Sequence, residues 1–381
     1  MSQPTRARSS DLMRRFLPAF CLLASAPPAR AQSDKVDEYI EAEIRKQEIP
    51  SLALAIVQDG KIVKTKAYGF ANLELRVPAT PGTVYQLQSI TKSFVACGMM
   101  LLAEDGKLGL DDKITRYLSG LPPAWSDITI RQMLAHTSGI PSFVQDQGSG
   151  AAIVAFAQKA SSSEEIVGWA AARPLIFAPG EGRKYSSTGY HLAGMIMEKV
   201  TGKPWGQFLH DRIFAPLGMT STRVNSVYDI IPNRASGYNH FGDVPVNGVW
   251  MQPAIVESAA GGLVSSVEDM AKWEIALEKG TILKPSVLAQ MVVPVKLKDD
   301  SIVQESDGTR HGLGWELENY QGHRVMSHGG DHVTGFTSYF ARFTDDKLAV
   351  IVLTNMMPFD IRTLARRVAG FYVPALTPAN R

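Results

Sequence analysis

Strand-patterned segments stand at both ends of this chain, with a long helical stretch between them, and that order constrains the fold more than any other feature. Near the start, LALAIV (52–57) and KIVKTKAYGF (61–70) read as two strands, and Asp59-Gly60 between them is a two-residue hairpin signal. Near the end, HGLGWELENY (311–320), GFTSYFARF (335–343) and KLAVIVLTN (347–355) repeat the pattern, with Thr344-Asp345-Asp346 as the last turn. Amphipathic helix patterns run from about Asp34 to Gln47 and from about Ile361 to Tyr372. From about Ser89 to Gly280 the pattern is mostly helical. There Pro204-Trp205 opens one helix after Gly202, and Ser266-Val267-Glu268-Asp269 opens another as in a capping box. Strands and helices do not alternate, which argues against a parallel βαβ sheet. The expected fold is therefore α+β: one antiparallel sheet built from both chain ends and flanked by helices, with an all-helical lobe inserted. The sheet lobe is expected over about 32–86 and 305–381 and the helical lobe over about 87–304, with a site between them.

The first residues read as an export leader. Arg6, Arg8, Arg14 and Arg15 precede the apolar run Phe16 to Ala26, and Ala29-Arg30-Ala31 is a small-x-small cleavage site. Cleavage before Gln32 and a periplasmic or secreted product are expected. Phe20 before Cys21 argues against lipid attachment, because a small residue is needed there. After cleavage Cys97 is the one remaining cysteine, so no intramolecular disulfide is expected; Cys97 reads as a small buried apolar residue. With 39 basic and 37 acidic residues and no basic block after the leader, nucleic acid is not an expected partner. No later apolar run is long enough for a membrane span.

Ser89-Ile90-Thr91-Lys92 opens the first long apolar helix pattern. Residues three apart share a helix face, so the Ser89 hydroxyl and the Lys92 amine can meet there. A lysine whose pKa is lowered by burial can take the proton that keeps a serine hydroxyl a weak nucleophile. Free N–H groups and the positive end of the helix dipole favour a developing oxyanion at that point. Tyr185-Ser186-Ser187 precedes a helix from about Gly189. The Tyr185 phenol is a candidate proton carrier, and a nearby cationic lysine would lower its pKa. In His328-Gly329-Gly330-Asp331, two glycines before a strand permit close backbone approach to a ligand, and the N–H groups that follow can complete an oxyanion hole. His328 can bind substrate or move protons. His328 and His332 have metal-pair spacing only on a helix, and this glycine-rich segment is not helix-patterned, so no metal and no other cofactor is expected. His136-Thr137-Ser138-Gly139 reads as a helix end and turn beside the site. No G-x-S-x-G elbow and no Walker or dinucleotide fingerprint is present.

Together these stretches resemble the serine β-lactamase and penicillin-binding protein superfamily, and within it the class C β-lactamase-like branch, which includes esterases and D-amino-acid peptidases. The family-like segments are MLAHTSGIPS, FAPGEGRKYSSTGYHLAG, TGKPWGQFLHDRIFAPLGMTSTR, AAGGLVSSVEDMAKW, GLGW and HGGDHVTGF, besides Ser89-x-x-Lys92. The resemblance implies Ser89 as acylated nucleophile, Lys92 as its base and Tyr185 as a second base. It implies the backbone N–H groups of Ser89 and Asp331 as the oxyanion hole. Ser187 stands where lactamases usually carry asparagine, and His328-Gly329-Gly330 stands where they carry Lys-Thr-Gly. The first change weakens the grip on an acylamino side chain. The second removes a permanent cation for a substrate carboxylate. The expectation is a serine hydrolase cleaving an ester or amide through an acyl-enzyme, with a small-molecule or peptide substrate and esterase or peptidase-like activity favoured over efficient β-lactam hydrolysis. The alternatives are a D-alanyl carboxypeptidase, or a penicillin-binding sensor without turnover.

Overall fold

A computed structural model describes residues 29–242 and 244–378 of the chain. The expected leader lies outside the described residues as far as residue 28. The hairpin forms from β1 (Ser51–Gln58) and β2 (Lys61–Asn72), and β3 (Val77–Pro78) edges it. Asp59 and Gly60 both take positive φ, 50° and 66°, as the tight hairpin turn between right-twisted strands demands. From the tail come β4 (Arg310–His311), β5 (Glu316–Tyr320), β6 (His323–His332), β7 (Phe336–Phe343) and β8 (Leu348–Thr354). All eight join one antiparallel sheet in the order β3-β2-β1-β8-β7-β6-β5-β4. The two ends of the chain meet at β1 and β8, paired from Leu52↔Thr354 to Gln58↔Leu348.

Five longer helices organise the layers: α1 (Ala29–Gln47), α2 (Thr91–Glu104), α3 (Ser187–Thr201), α4 (Val267–Lys279) and α5 (Ile361–Tyr372). On one face Leu52, Leu54, Ile56, Val350 and Val352 pack with Val36 and Ile40 of α1 and Leu364 and Val368 of α5. On the other face Ala53, Ala55, Ile351 and Leu353 share a core with α2, α3 and α4. Central strands covered on both sides carry unbroken apolar runs, which is why LALAIV and LAVIVL read as they do. Helix α2 is buried at every position from Thr91 to Leu102, the pattern of a helix apolar all round, and its Phe94 stacks on Trp273 of α4 at 4.6 Å.

Two local readings change. His328-Gly329-Gly330-Asp331-His332 is not a loop before a strand; it is the second half of β6, paired with β7 from His328↔Phe340 to His332↔Phe336. Its glycines hide it, because they lower strand propensity wherever they fall. Ser266 does cap α4 by accepting the Asp269 N–H, but the Asp269 carboxylate turns to Ser221, Thr222 and Lys272, so the reciprocal half of a capping box is missing. The inserted segment also carries short strands: Leu263–Ser265 and Arg223–Val224 form one small sheet with Tyr85–Gln86 just before it, and Tyr238–Phe241 and Val244–Asn247 join Met356–Met357 of the tail in another. No helix among the described residues is long and apolar enough to cross a membrane.

Candidate active site

Ser89 sits in a single 3-10 turn, Gln88–Ile90, that runs straight into α2. Gln88 before it is held at φ 50°, a left-handed conformation uncommon for a residue with a side chain. Its amide Nε2 donates to Gln86 Oε1 (2.7 Å) and to Thr334 Oγ1 (2.9 Å), which ties the turn to the segment after β6. Ser338 of β7 donates to Leu87 O at 2.7 Å and fixes the other side. The strained turn is thus over-determined by its neighbours, and it leaves Ser89 partly exposed at the cleft.

Lys92, one turn on, has no exposed surface. Its Nζ donates to Ser89 Oγ at 3.0 Å and to Ala260 O at 2.6 Å. The ring of Tyr185 lies beneath it, with the centroid 4.8 Å away. Burial drives the ammonium down to about 7, while the Asp331 carboxylate pulls the other way. A substantial share of the Lys92 amine is therefore available as a base near neutrality, within hydrogen-bond reach of the hydroxyl it would serve.

Tyr185 immediately precedes Ser186, the N-cap of α3, so the helix begins two residues earlier than its sequence pattern suggests. The His136 ring packs against Tyr185, tilted by 30° with the centroids 4.3 Å apart, and His136 Nδ1 accepts the Ser186 N–H at 3.1 Å. Burial holds His136 neutral, well below the usual histidine range, which suits a ring nitrogen that must accept. The expectation that lysine lowers the Tyr185 pKa is reversed: burial raises the phenol above its ordinary value, and a hydrogen bond with Ser89 only partly opposes this. The Tyr185 phenol is therefore neutral, able to donate a proton but not a standing phenolate.

Strand β6 forms the opposite wall. A methyl group on Gly330 would lie 2.7 Å from Ser89 N and 2.5 Å from Leu87 O, so only glycine allows the strand this close to the Ser89 turn. Beyond Ser327, β6 has no partner strand on its β5 side among the described residues. The buried His328 turns Nδ1 to Gly329 O at 2.7 Å, and burial drives its pKa to about 3. His328 and His332 both lie on β6, where four residues span about 13 Å, too far for one metal ion. Ser187 is buried, with its hydroxyl 3.4 Å from Gln145 Oε1. Gln145 also accepts from Ser142, whose hydroxyl in turn accepts the Ser187 N–H at 3.1 Å.

Ser89 stands where two spaces meet. One is a cleft of about 630 Å³ lined by Tyr185, Gln145, Glu316, His328, Gly330 and Asp331. The other is a recess of about 60 Å³ that includes Ser187, Gln145 and Asp331. A separate cavity of about 700 Å³ lies behind Ser258 and Ala259 and contains neither Ser89 nor Tyr185. All seven residues singled out from the sequence thus line these two spaces or, for Lys92, lie buried beside Ser89. Gln145 and Gln88 were not legible in the sequence: a glutamine in a loop and a positive φ carry no pattern. Ala260, a backbone acceptor, leaves no side-chain signal at all.

The family model described as Beta-lactamase matches residues 36–371. The chain is 26% identical over 331 residues to protein flp of Staphylococcus aureus, covering 84% of this chain and 63% of that protein. It thus spans a little under two thirds of that relative's length. Among solved structures it is similar to the octameric penicillin-binding protein homologue from Pyrococcus abyssi, with TM-score 0.77, 28% identity, and coverage of 90% of this chain and 77% of that one. It is likewise similar to the D-amino acid amidase of Ochrobactrum anthropi SV3, with TM-score 0.76, 28% identity, and coverage of 91% and 98%. A sheet built from both chain ends, the β-lactamase and penicillin-binding protein fold of these neighbours and a family match over most of its length place the chain in the beta-lactamase family of serine hydrolases.

Proposed function

We propose that the chain is an exported serine hydrolase that cleaves an ester or amide through a covalent acyl-enzyme on Ser89. The observation that carries this reading is the fully buried Lys92 amine, 3.0 Å from Ser89 Oγ and with its pKa brought to about 7. Neutral Lys92 takes the hydroxyl proton as Ser89 Oγ bonds to the carbonyl carbon. The backbone N–H groups of Ser89 and Asp331 receive the oxyanion. The carbonyl re-forms, the bond to the leaving group breaks, and the proton on Lys92 passes to that group through the Tyr185 phenol. Water then attacks the acyl-enzyme by the same route in reverse, returning the proton to Ser89.

The leaning towards esters and amides without an obligatory carboxylate rests on charge. His328 stands where a lysine would hold a carboxylate, and burial keeps it neutral. Among the described residues the cleft's one arginine is Arg362, and it is already bound to Glu316 at 2.5 Å. A D-alanyl carboxypeptidase would need a free cation there. The similarity to a D-amino acid amidase supports amides as well as esters. Export rests on the basic and apolar leader with its Ala29-Arg30-Ala31 site.

The test is hydrolysis of a neutral aryl ester and of a penicillin by the wild-type chain and by Ser89→Ala. The expected result is ester hydrolysis well above penicillin hydrolysis, with both reduced at least about a thousandfold in Ser89→Ala and the fold retained by circular dichroism. Turnover that survives Ser89→Ala contradicts the reading.

A further inference from the structure

The charge around the cleft is lopsided. Among the described residues its wall carries three carboxylates, Glu316, Asp331 and Asp360, and one arginine, Arg362. Arg362 is held by Glu316 at 2.5 Å and lies 3.3 Å from Glu318 outside the cleft. Asp360 caps α5 by accepting the Thr363 N–H. Asp331 differs from both. It is exposed at the junction of the cleft and the recess, and among the described residues its carboxylate makes neither hydrogen bond nor ion pair. The nearby histidines do not neutralise it, since burial holds His328 near 3 and His332 near 4. The cation that acts on it is the buried Lys92, which is itself brought down to about 7 and so is only partly charged near neutrality.

The position makes this carboxylate a liability for the reaction already described. Asp331 follows Gly330, the residue pressed against the Ser89 backbone N, and in the proposed mechanism its own N–H receives the oxyanion. A bare negative charge beside developing negative charge destabilises the transition state. The conflict disappears when the substrate brings a cation of its own.

We propose that the cleft selects by charge, with Asp331 receiving an ammonium group that the substrate carries within a few bonds of the scissile carbonyl. The substrates are then unblocked amino-acid amides and esters or peptides with a free amino terminus, and anionic acyl groups are turned away. This rests on the serine-hydrolase reading, but its test need not depend on turnover.

One phenylalanine 4-nitroanilide, in both enantiomers, supplies the probe with its amino group free, acetylated or succinylated. On wild-type protein the expected order of kcat/KM is free amine above acetyl above succinyl, with about tenfold per step. In Asp331→Asn the free-amine form falls and the succinyl form rises, which flattens the series. The same three compounds are also titrated by calorimetry against Ser89→Ala and against Ser89→Ala with Asp331→Asn. Tighter binding of the free amine to the first protein, lost in the second, supports the proposal even if no turnover is seen. A charge series that stays the same in Asp331→Asn overturns it. So does a uniform loss on all three substrates with a downward shift of the pH profile, which would mean that Asp331 acts only on Lys92. Absence of hydrolysis of all three with the binding difference intact would strike the hydrolase reading alone.

Discussion

Lys92 carries two opposed demands. A charged ammonium with no exposed surface is costly, and the protein resolves this by lowering its pKa to about 7. The base is then neutral above about 7, so kcat/KM on a neutral ester should rise with pH through about 7 and level off beyond it. This lies closer to neutrality than an ordinary lysine or tyrosine base would give. His328, driven to about 3, cannot supply that limb. A profile whose acid limb falls above 9 would contradict the role of Lys92. The same shift has a stability consequence. Its folded value near 7 lies below the ordinary 10.5, so the penalty on the folded state is full below about 7 and gone above 10.5. Lys92→Met removes a penalty of up to about 5 kcal/mol. It leaves Ala260 O without its donor, at about 1–3 kcal/mol. The variant should be inactive yet more stable than wild type at pH 6, measured by chemical denaturation; lower stability at that pH would refute the balance.

At the level of elements, β6 decides whether the site closes around Ser89. Gly330 and Gly329 are neighbours in sequence with different surroundings. A methyl on Gly330 collides with Ser89 N and Leu87 O, whereas one on Gly329 meets nothing nearer than Tyr339 Cδ2 at 3.5 Å. Gly330→Ala should therefore lower kcat by about a hundredfold, because a shift near 1 Å misaligns the oxyanion donors. Gly329→Ala should keep activity within about threefold. Equal effects of the two substitutions would show that β6 does not set the register of the Ser89 turn. These elements also show what was readable beforehand. β1, β2, β7 and β8 announce themselves by apolar runs and by Asp59-Gly60, and α2 by its length. β6 does not, since the glycines that bring it against Ser89 are those that disguise it as a loop. The left-handed Gln88 is equally silent, because its conformation is imposed by Thr334 and Leu87's neighbours and not by local preference.

For the whole molecule, the decisive joint is between the two chain ends. The pattern of strands at both ends was enough to expect one sheet, but it did not show what locks the ends together. Asn355, just after β8, does this. Its Oδ1 accepts from Ser51 N (2.8 Å) and Ser51 Oγ (2.7 Å) of β1, and its Nδ2 donates to Phe70 O (3.2 Å) of β2 and Ser236 O (3.0 Å). Asn355→Ala strands several buried groups and should cost about 3 kcal/mol in denaturant unfolding; a loss under 1 kcal/mol would show that the sheet holds without it. This frame matters to the site because Ser89 comes from the inserted segment and Gly330 from the tail strands, so the chemistry depends on the two being held in one register. In the proposed mechanism Ser89, activated by Lys92, forms the covalent intermediate. This is tested most directly by mixing the intact protein with a slowly released acyl donor such as a penicillin or an activated ester, following its mass, and mapping the adduct by digestion. The expected result is one added acyl group, on the peptide containing Ser89, absent from Ser89→Ala and strongly slowed in Lys92→Met. An adduct on another residue, or one that forms equally in Ser89→Ala, would contradict it.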